Sequence, residues 1–164
     1  MAVSLDEIDV RLLHELELDA SRSNVELART VGLSAAATLN RVKRLRESDA
    51  IRKISARLDS AAVGFALQVY VTVTLARQDE AAHKRFVKVV EETPQVIAAD
   101  WVTGEVDAVL MIVARDVAEL QVVLTRLNLR GGAQRLITLL RLEELKPASP
   151  LPLRPTSGQR TRAR

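Results

Sequence analysis

Seven of the chain's 24 basic side chains fall between residues 38 and 58, against only two acids. Arg41, Lys43, Arg44 and Arg46 come first, then Arg52, Lys53 and Arg57. Cations at this density attract a polyanion, and guanidinium groups suit phosphate because their planar donors engage two oxygens at once. Asn40 lies among them, and its amide can both donate to and accept from a base edge. The rest of the chain has a different balance. Residues 1–37 carry a net −4, 38–58 a net +5 and 59–146 a net −2, while 147–164 hold four arginines and no acid. The +3 of the whole 164-residue chain therefore conceals one strongly basic block.

Other chemistries find fewer residues to work with. The absence of cysteine excludes disulfides, thiolate metal sites and thiol catalysis. His14 and His83 are the only imidazoles, too few for a histidine metal site. His14-Glu-Leu-Glu17 has the spacing of a helix surface, and His83 falls on the polar side of its own helical stretch. There is no glycine-rich phosphate loop, Ser-His-Asp arrangement or acidic metal cluster. No catalytic residue, metal or cofactor is expected. Phe65, Tyr70, Phe86 and Trp101 are the whole aromatic set, so the core must be aliphatic. A single-stranded RNA surface, which needs aromatic platforms on its strands, is excluded on composition.

The basic block needs a rigid element to present it. Ser4-Leu-Asp-Glu7 reads as a capping box opening a first helix, with Ile8, Leu12, Leu13 and Leu16 on one stripe. Ser23-Asn-Val-Glu26 opens a second, short helix with Leu27, Ala28 and Val31 inward, and Gly32 suits a left-handed C-cap. Ser34 is the expected N-cap of a third helix running to about Glu47. Two short helices meeting across Val31-Gly-Leu-Ser34 form the pattern of a helix-turn-helix. On the third helix, Thr38, Val42 and Leu45 share the buried stripe. Ala36, Leu39, Asn40 and Lys43 lie opposite, flanked by Arg41 and Arg44. A helix with small, amide and basic side chains outward fits the major groove of double-stranded DNA. Asp49 stands where a glycine would ordinarily end the helix. Ile51 to Leu58 alternates, which predicts a wing or linker strand, with Arg52 and Lys53 placed for phosphate or simply solvated at a strand edge.

From Phe65 the period changes to that of strands. Strand patterns at 65–76, 95–102, 106–114 and 133–145 are interleaved with helical ones at 79–92 and from a third capping box, Asp116-Val-Ala-Glu119, to the Gly131-Gly132 break. The order βαββαβ is that of a ferredoxin-like unit. Two helices cover one sheet face only, yet the third strand puts Ala108, Leu110 and Ile112 on one side and Val109, Met111 and Val113 on the other. The last strand sets Leu136, Leu140 and Leu142 against Ile137 and Leu139. Both faces call for burial, so a homodimer through the sheets is expected. The fold class is α+β: a winged helix-turn-helix over 1–53, a linker strand over 54–64, a ferredoxin-like domain over 65–146 and a disordered Pro/Arg-rich tail over 147–164. The longest uncharged run, 60–76, is too short for a membrane span. Acidic Asp6, Glu7 and Asp9 do not suit an export signal, and a cytoplasmic protein is expected.

In order and size these elements resemble the Lrp/AsnC (feast/famine) family of transcriptional regulators over residues 4–146. Leu5-Asp-Glu-Ile-Asp9 with Leu12 and Leu13 resembles the family's opening helix. Arg22-Ser-Asn-Val-Glu-Leu-Ala28, Val31-Gly-Leu-Ser34, Arg41-Val-Lys-Arg-Leu45 and Ile51 follow its DNA-binding pattern, which brings Arg22, Ser23 and Ser34 into the candidate DNA site. Val102-Thr-Gly-Glu-Val-Asp107 is similar to the glycine-to-aspartate turn of its effector domain, and Gly132 with Thr138 to its last-strand signature. The resemblance implies a sequence-specific regulator that binds pseudo-palindromic promoter sites as a homodimer assembling to octamers or similar discs, with an amino acid or related metabolite as effector. By position it implies Thr103, Gly104, Glu105, Asp107, Gln134 and Thr138 as effector residues. A plain hairpin at Gly104 with a solvated Asp107 accounts for the same turn. Four positions depart from the family pattern: Asp49 replaces glycine, Ala35 proline, Ala108 an aromatic and Leu136 a threonine. Two other functions share this architecture, a siroheme-decarboxylase-like enzyme and a metabolite-binding protein without DNA function. The basic face at Asn40, Lys43 and Arg44 favours the regulator.

Overall fold

The structure is a computed structural model and describes residues 3–77 and 79–156. The chain forms two units, 1–56 with 146–164, and 57–145. In the first, α1 (Glu7–Leu18), α2 (Asn24–Val31) and α3 (Ala35–Glu47) surround Leu12, Leu27, Val31 and Val42, with Ile8, Leu16 and Leu33 at the margin. The capping residues set these boundaries. Ser23 Oγ accepts from the Glu26 amide and the Glu26 carboxylate accepts from the Ser23 amide, closing the expected box. Gly32 takes φ 74°, a left-handed conformation that turns the chain sharply into α3. Ser34 caps α3 by accepting from the Ala37 amide at 3.2 Å. The first helix, however, is capped by Asp6 and not by Ser4. Asp6 Oδ1 accepts from the Asp9 amide at 2.8 Å and Asp9 Oδ2 accepts from the Asp6 amide at 3.1 Å. A carboxylate at the positive helix end outcompetes the hydroxyl two residues earlier.

The second unit is a four-stranded antiparallel sheet in the order β2-β3-β1-β4, built from β1 (Leu67–Leu75), β2 (Val96–Trp101), β3 (Ala108–Ala114) and β4 (Ala133–Leu140). Two helices, α4 (Glu80–Glu91) and α5 (Val117–Leu129), give the βαββαβ order. Val69, Val71, Val73 and Leu75 of β1 and Ala108, Leu110 and Ile112 of β3 pack under Phe86 and Val89 of α4 and Val123 and Leu127 of α5. The opposite face carries Tyr70, Ile137 and Leu139, all exposed, with Val109 and Met111 half-buried. On that face β3 and β4 are apolar, as the two-sided strand pattern predicts, while β1 between them adds Gln68, Thr72 and Thr74 to Tyr70.

Three further expectations change. The wing strand over Ile51–Leu58, and with it the linker strand over 54–64, does not form: residues 52–59 join no ladder and 60–64 turn. An alternating sequence becomes a strand only when a neighbour satisfies its amides, and no described segment of the chain pairs with it. The last strand ends at Leu140 instead of reaching residue 145: its ladder with β1 closes at the Val69–Leu140 pair, and one further bond follows, from the Arg141 amide to the Gln68 carbonyl at 3.0 Å. Leu142 and Leu145 are left exposed. At α5 the box is half made: Asp116 caps the Glu119 amide, but the Glu119 carboxylate turns to the Arg115 amide at 2.7 Å. The disorder expected over 157–164 lies outside the described residues, while 147–156 form neither helix nor strand and bond to the first unit at Glu17 and Leu5.

Candidate nucleic-acid interface and effector turn

The third helix separates its faces as its spacing predicts. Thr38, Val42 and Leu45 are buried, and Ala36, Leu39, Asn40, Lys43 and Arg44 are exposed. Leu39 keeps half of its surface in solvent on a face otherwise polar. Lys43 reaches only Glu47, at 3.8 Å on the open surface, so its charge stays available to an anion. Ser34 is exposed beside these residues, its hydroxyl engaged as the cap.

The arginines behave differently from one another. Asp9 is 1% exposed at the start of α1, and two guanidinium groups from α3 converge on it. Arg41 Nη1 donates to Asp9 Oδ1 at 2.9 Å and to Asp6 Oδ2 at 2.7 Å, and Arg44 Nη2 donates to Asp9 Oδ2. Bonding to Asp6, then to Asp9, raises the Arg41 pKa still further. The Asp9 amide, and secondarily Arg41, holds the Asp6 carboxyl below its ordinary value. Arg41 therefore fastens α3 to α1. Arg44 does so with about half its side chain still in water. Arg22 is drawn inward in the same way, bonding Glu15 on α1 with Asp19 3.9 Å away. Ser23 is committed to its capping box. Arg52 and Lys53 are exposed and make no ion pair among the described residues. The clamp carboxylates Asp6 and Asp9 went unread as such in the sequence. Two acids three residues apart at a helix start already have a sufficient local explanation as caps.

In the second unit the turn after β2 closes through the Val102 amide donating to the Asp107 carbonyl at 3.0 Å, with Gly104 at φ 125°. Thr103 and Glu105 stand exposed on it. Asp107 is half-buried, and its Oδ2 accepts from the Leu75 amide at 2.7 Å while its own amide donates to the Val73 carbonyl at 2.8 Å. It pins the start of β3 to the end of β1. Gln134 is the extra residue where the β1–β4 register shifts beside Leu75, so it shares that end of the sheet with Asp107. Thr138 pairs with Val71, four residues further along β1, or about 13 Å at strand rise. The six positions are thus two groups: the turn with Gln134, and Thr138 apart. Ala108 pairs with Trp101 in the ladder, so the indole stands across from the small residue. Trp101 packs on His83 and Phe86 at ring separations of 4.8 and 5.7 Å, beside a cleft of about 240 Å³ between α4 and β2 that none of the six positions lines.

A helix-turn-helix joined to an antiparallel βαββαβ unit with a glycine-aspartate turn defines a class of two-domain DNA-binding regulators. The chain matches the AsnC-type helix-turn-helix domain over residues 5–46 and the Lrp/AsnC ligand binding domain over residues 68–151. It belongs to the Lrp/AsnC family of transcriptional regulators. It is 37% identical over 147 residues to the leucine-responsive regulatory protein of Rhizobium meliloti, covering 89% of this chain and 94% of that one. Against the Bkd operon transcriptional regulator of Pseudomonas aeruginosa it is 39% identical over 121 residues, 74% of this chain and 79% of that one. Among solved structures, a transcriptional regulator of Neisseria meningitidis in complex with L-methionine superposes with a TM-score of 0.84 at 30% identity, over 91% of this chain and 97% of that one. No helix among the described residues is long and apolar enough to cross a membrane.

Proposed function

We propose that this regulator binds double-stranded DNA at pseudo-palindromic promoter sites as a homodimer, reading bases through the exposed face of α3. The observation that carries this reading is the separation on that helix. Thr38, Val42 and Leu45 are buried, and Ala36, Leu39, Asn40 and Lys43 face outward from a helix locked in place by Arg41, Arg44 and Asp9. Asn40 suits an adenine edge and Leu39 a thymine methyl, while Lys43, Arg52 and Lys53 meet phosphate. Arg41 positions the reading helix, Arg22 ties the chain ahead of α2 to Glu15 of α1, and neither reads a base. A regulatory role in the cytoplasm, without catalysis, accords with the named relatives, all of which are transcriptional regulators. The test is binding to the chain's own promoter region with Asn40→Ala/Lys43→Ala. Losing one base contact and one phosphate contact weakens binding by roughly 10- to 100-fold, with the oligomer unchanged. Unaltered affinity rejects the assigned face.

The open sheet face supports self-association, since Tyr70, Ile137 and Leu139 present a contiguous apolar surface that a second copy would cover. Octamers or similar assemblies of dimers follow the family's habit, and sedimentation with Ile137→Glu/Leu139→Glu decides whether this face holds the dimer. An amino acid is the proposed effector, at the turn of Thr103, Gly104, Glu105 and Asp107 with Gln134, and with Thr138 completing the site only if a neighbouring copy brings it close. The Neisseria relative holding L-methionine supports this class of ligand. Asp107 also pins β1 to β3, so Gln134→Ala is the cleaner probe. An amino acid at 100 times its Kd stabilises the protein by about 2.7 kcal/mol, and an undiminished thermal shift in Gln134→Ala removes that residue from the site.

A further inference from the structure

The cleft between α4 and β2 takes no part in either site described above. Its floor is made by small residues. Ala99 pairs with Leu110 and Trp101 with Ala108, so their side chains share the sheet face that α4 covers. The two alanines leave the space of about 240 Å³ unfilled beneath Val87 and Val90. Ala108 stands where the family pattern has an aromatic, and a ring at that position would occupy the same space.

The end wall is the Trp101 indole. His83 and Phe86 of α4 hold it at ring separations of 4.8 and 5.7 Å, yet 48% of the residue stays exposed. Val87 is likewise exposed at the opening. Two large apolar side chains are thus fixed in contact with water, where one small occupant would cover both. A volume below about 300 Å³ suits a ligand smaller than a drug-sized one.

Charge decides the kind of ligand. Among the described residues, Glu91 and Asp100 are the ionised ones that border the cleft, and no cation does. Asp100 pairs with Val109, whose side chain lies on the other sheet face, so register directs its carboxylate away and leaves Glu91 at the mouth. The cations of α4 are engaged elsewhere. Lys84 bonds Glu80 at 2.6 Å, Lys88 lies 3.8 Å from Glu92, and Arg85 lies over Gly132. Glu91 itself makes no ion pair among the described residues. It closes α4, whose carbonyl end is the negative end of the helix dipole. The indole face also attracts cations. These features select a positive head on an apolar body. A carboxylate would find no partner here, so the cleft suits an amine better than the amino acid that carries both groups.

We propose that this cleft is a second ligand site, which takes a small apolar amine in its protonated form, its body between Trp101 and Val87 and its ammonium at Glu91. The proposal does not depend on the DNA or amino-acid readings. Trp101 and Ala108 flank the turn over 102–107, so a ligand in the cleft braces the segment proposed for the effector.

The experiment titrates the full chain with phenethylamine and follows the fluorescence of Trp101, the chain's single tryptophan. Phenylethanol and phenylpropionate, with the same ring and a neutral or negative head, are the comparison. The amine gives a saturable change in emission. The alcohol binds about 2- to 5-fold more weakly, and the carboxylate more weakly still. Glu91→Gln loses about the same 2- to 5-fold for the amine alone, which brings it level with the alcohol. Ala99→Leu, on the exposed edge strand, fills the cleft and removes the response with an unchanged dichroism spectrum. No saturable response to the amine overturns the site. A carboxylate that binds as tightly as the amine overturns the cationic ligand, as does a Glu91→Gln chain with the parent's affinity. A response undiminished in Ala99→Leu puts the ligand outside the cleft and overturns the assignment.

Discussion

Removing the Asp9 carboxylate should destabilise the helix-turn-helix while leaving the stability of the sheet unit unchanged. Asp9→Ala deletes the acceptor for Arg41 and Arg44 and half of the capping box with Asp6. Breaking a buried ion pair costs about 3–5 kcal/mol, and the lost cap adds about 1 kcal/mol. Both guanidinium groups keep contact with water, Arg41 at 29% and Arg44 at 53% of their side-chain surface, so the ion-pair loss falls below that range, to about 2 kcal/mol, and the total is about 3 kcal/mol. For a unit of this size, with a urea dependence of about 1 kcal/mol per molar, the midpoint falls by about 3 M. Asp9→Asn keeps the shape and one acceptor and falls between variant and parent. The chain supplies two separate reporters. Trp101 and Tyr70 lie in the sheet unit and the helix-turn-helix has no aromatic residue, so tryptophan fluorescence reports the former alone. Far-ultraviolet circular dichroism also sees α1, α2 and α3. The expected result is an early dichroism transition displaced by about 3 M, with the fluorescence transition unmoved. An undisplaced dichroism transition refutes the clamp, and equal displacement of both probes refutes its confinement to one unit.

Three further outcomes follow from single residues. Thr38 is fully buried and its hydroxyl has no hydrogen-bond partner among the described residues, so Thr38→Val raises stability in urea by about 1 kcal/mol, and a loss of that size contradicts the orphaned hydroxyl. Asp49 sits at φ 58°, in the left-handed region; Asp49→Gly relieves strain against a looser unfolded chain and gains roughly 0.5 kcal/mol, while Asp49→Val loses about 1 kcal/mol or more. Bonding from the Arg115 side chain, the Arg115 amide and Gln95 lowers the Glu119 carboxyl to about 2 from its ordinary 4.5. Because the folded value is the lower one, its contribution to stability is complete above about pH 4.5 and is lost as pH falls toward 2. A carboxyl NMR titration of Glu119 should give the low midpoint, and Glu119→Gln should flatten the acid limb of the stability profile. A midpoint near 4.5 removes the basis for both.

Much of the architecture was legible because local rules agreed with one another. Ser23 with Glu26, Gly32 and Ser34 mark the helix-turn-helix boundaries through hydrogen bonds made within three or four residues, and they formed as the sequence predicts. The split of α3 into buried Thr38, Val42 and Leu45 and outward Asn40 and Lys43 follows from helical period alone. The strained residue at Asp49 was readable from position, since the helix needed a left-handed terminator there and the chain offered aspartate. The wing was misread because alternation states which faces a segment would present, not whether a partner exists to pair with it.

What the sequence determined by itself was therefore local or periodic: the helix-turn-helix boundaries, the βαββαβ element order, the apolar residues on both sides of β3 and β4 and the concentration of +5 in residues 38–58. What the tertiary structure decided was which charges remain available. Arg41, Lys43 and Arg44 are equivalent cations in the sequence. Folding brings Asp6 and Asp9, more than thirty residues away, against Arg41 and Arg44 and leaves Lys43 to the surface. The same long-range packing ties Leu151 to Glu17 and Thr156 to Leu5, where a count of prolines and arginines indicates only a tail. Charge is written residue by residue, but its partner is chosen by distance in space, and only the packed helices set that distance.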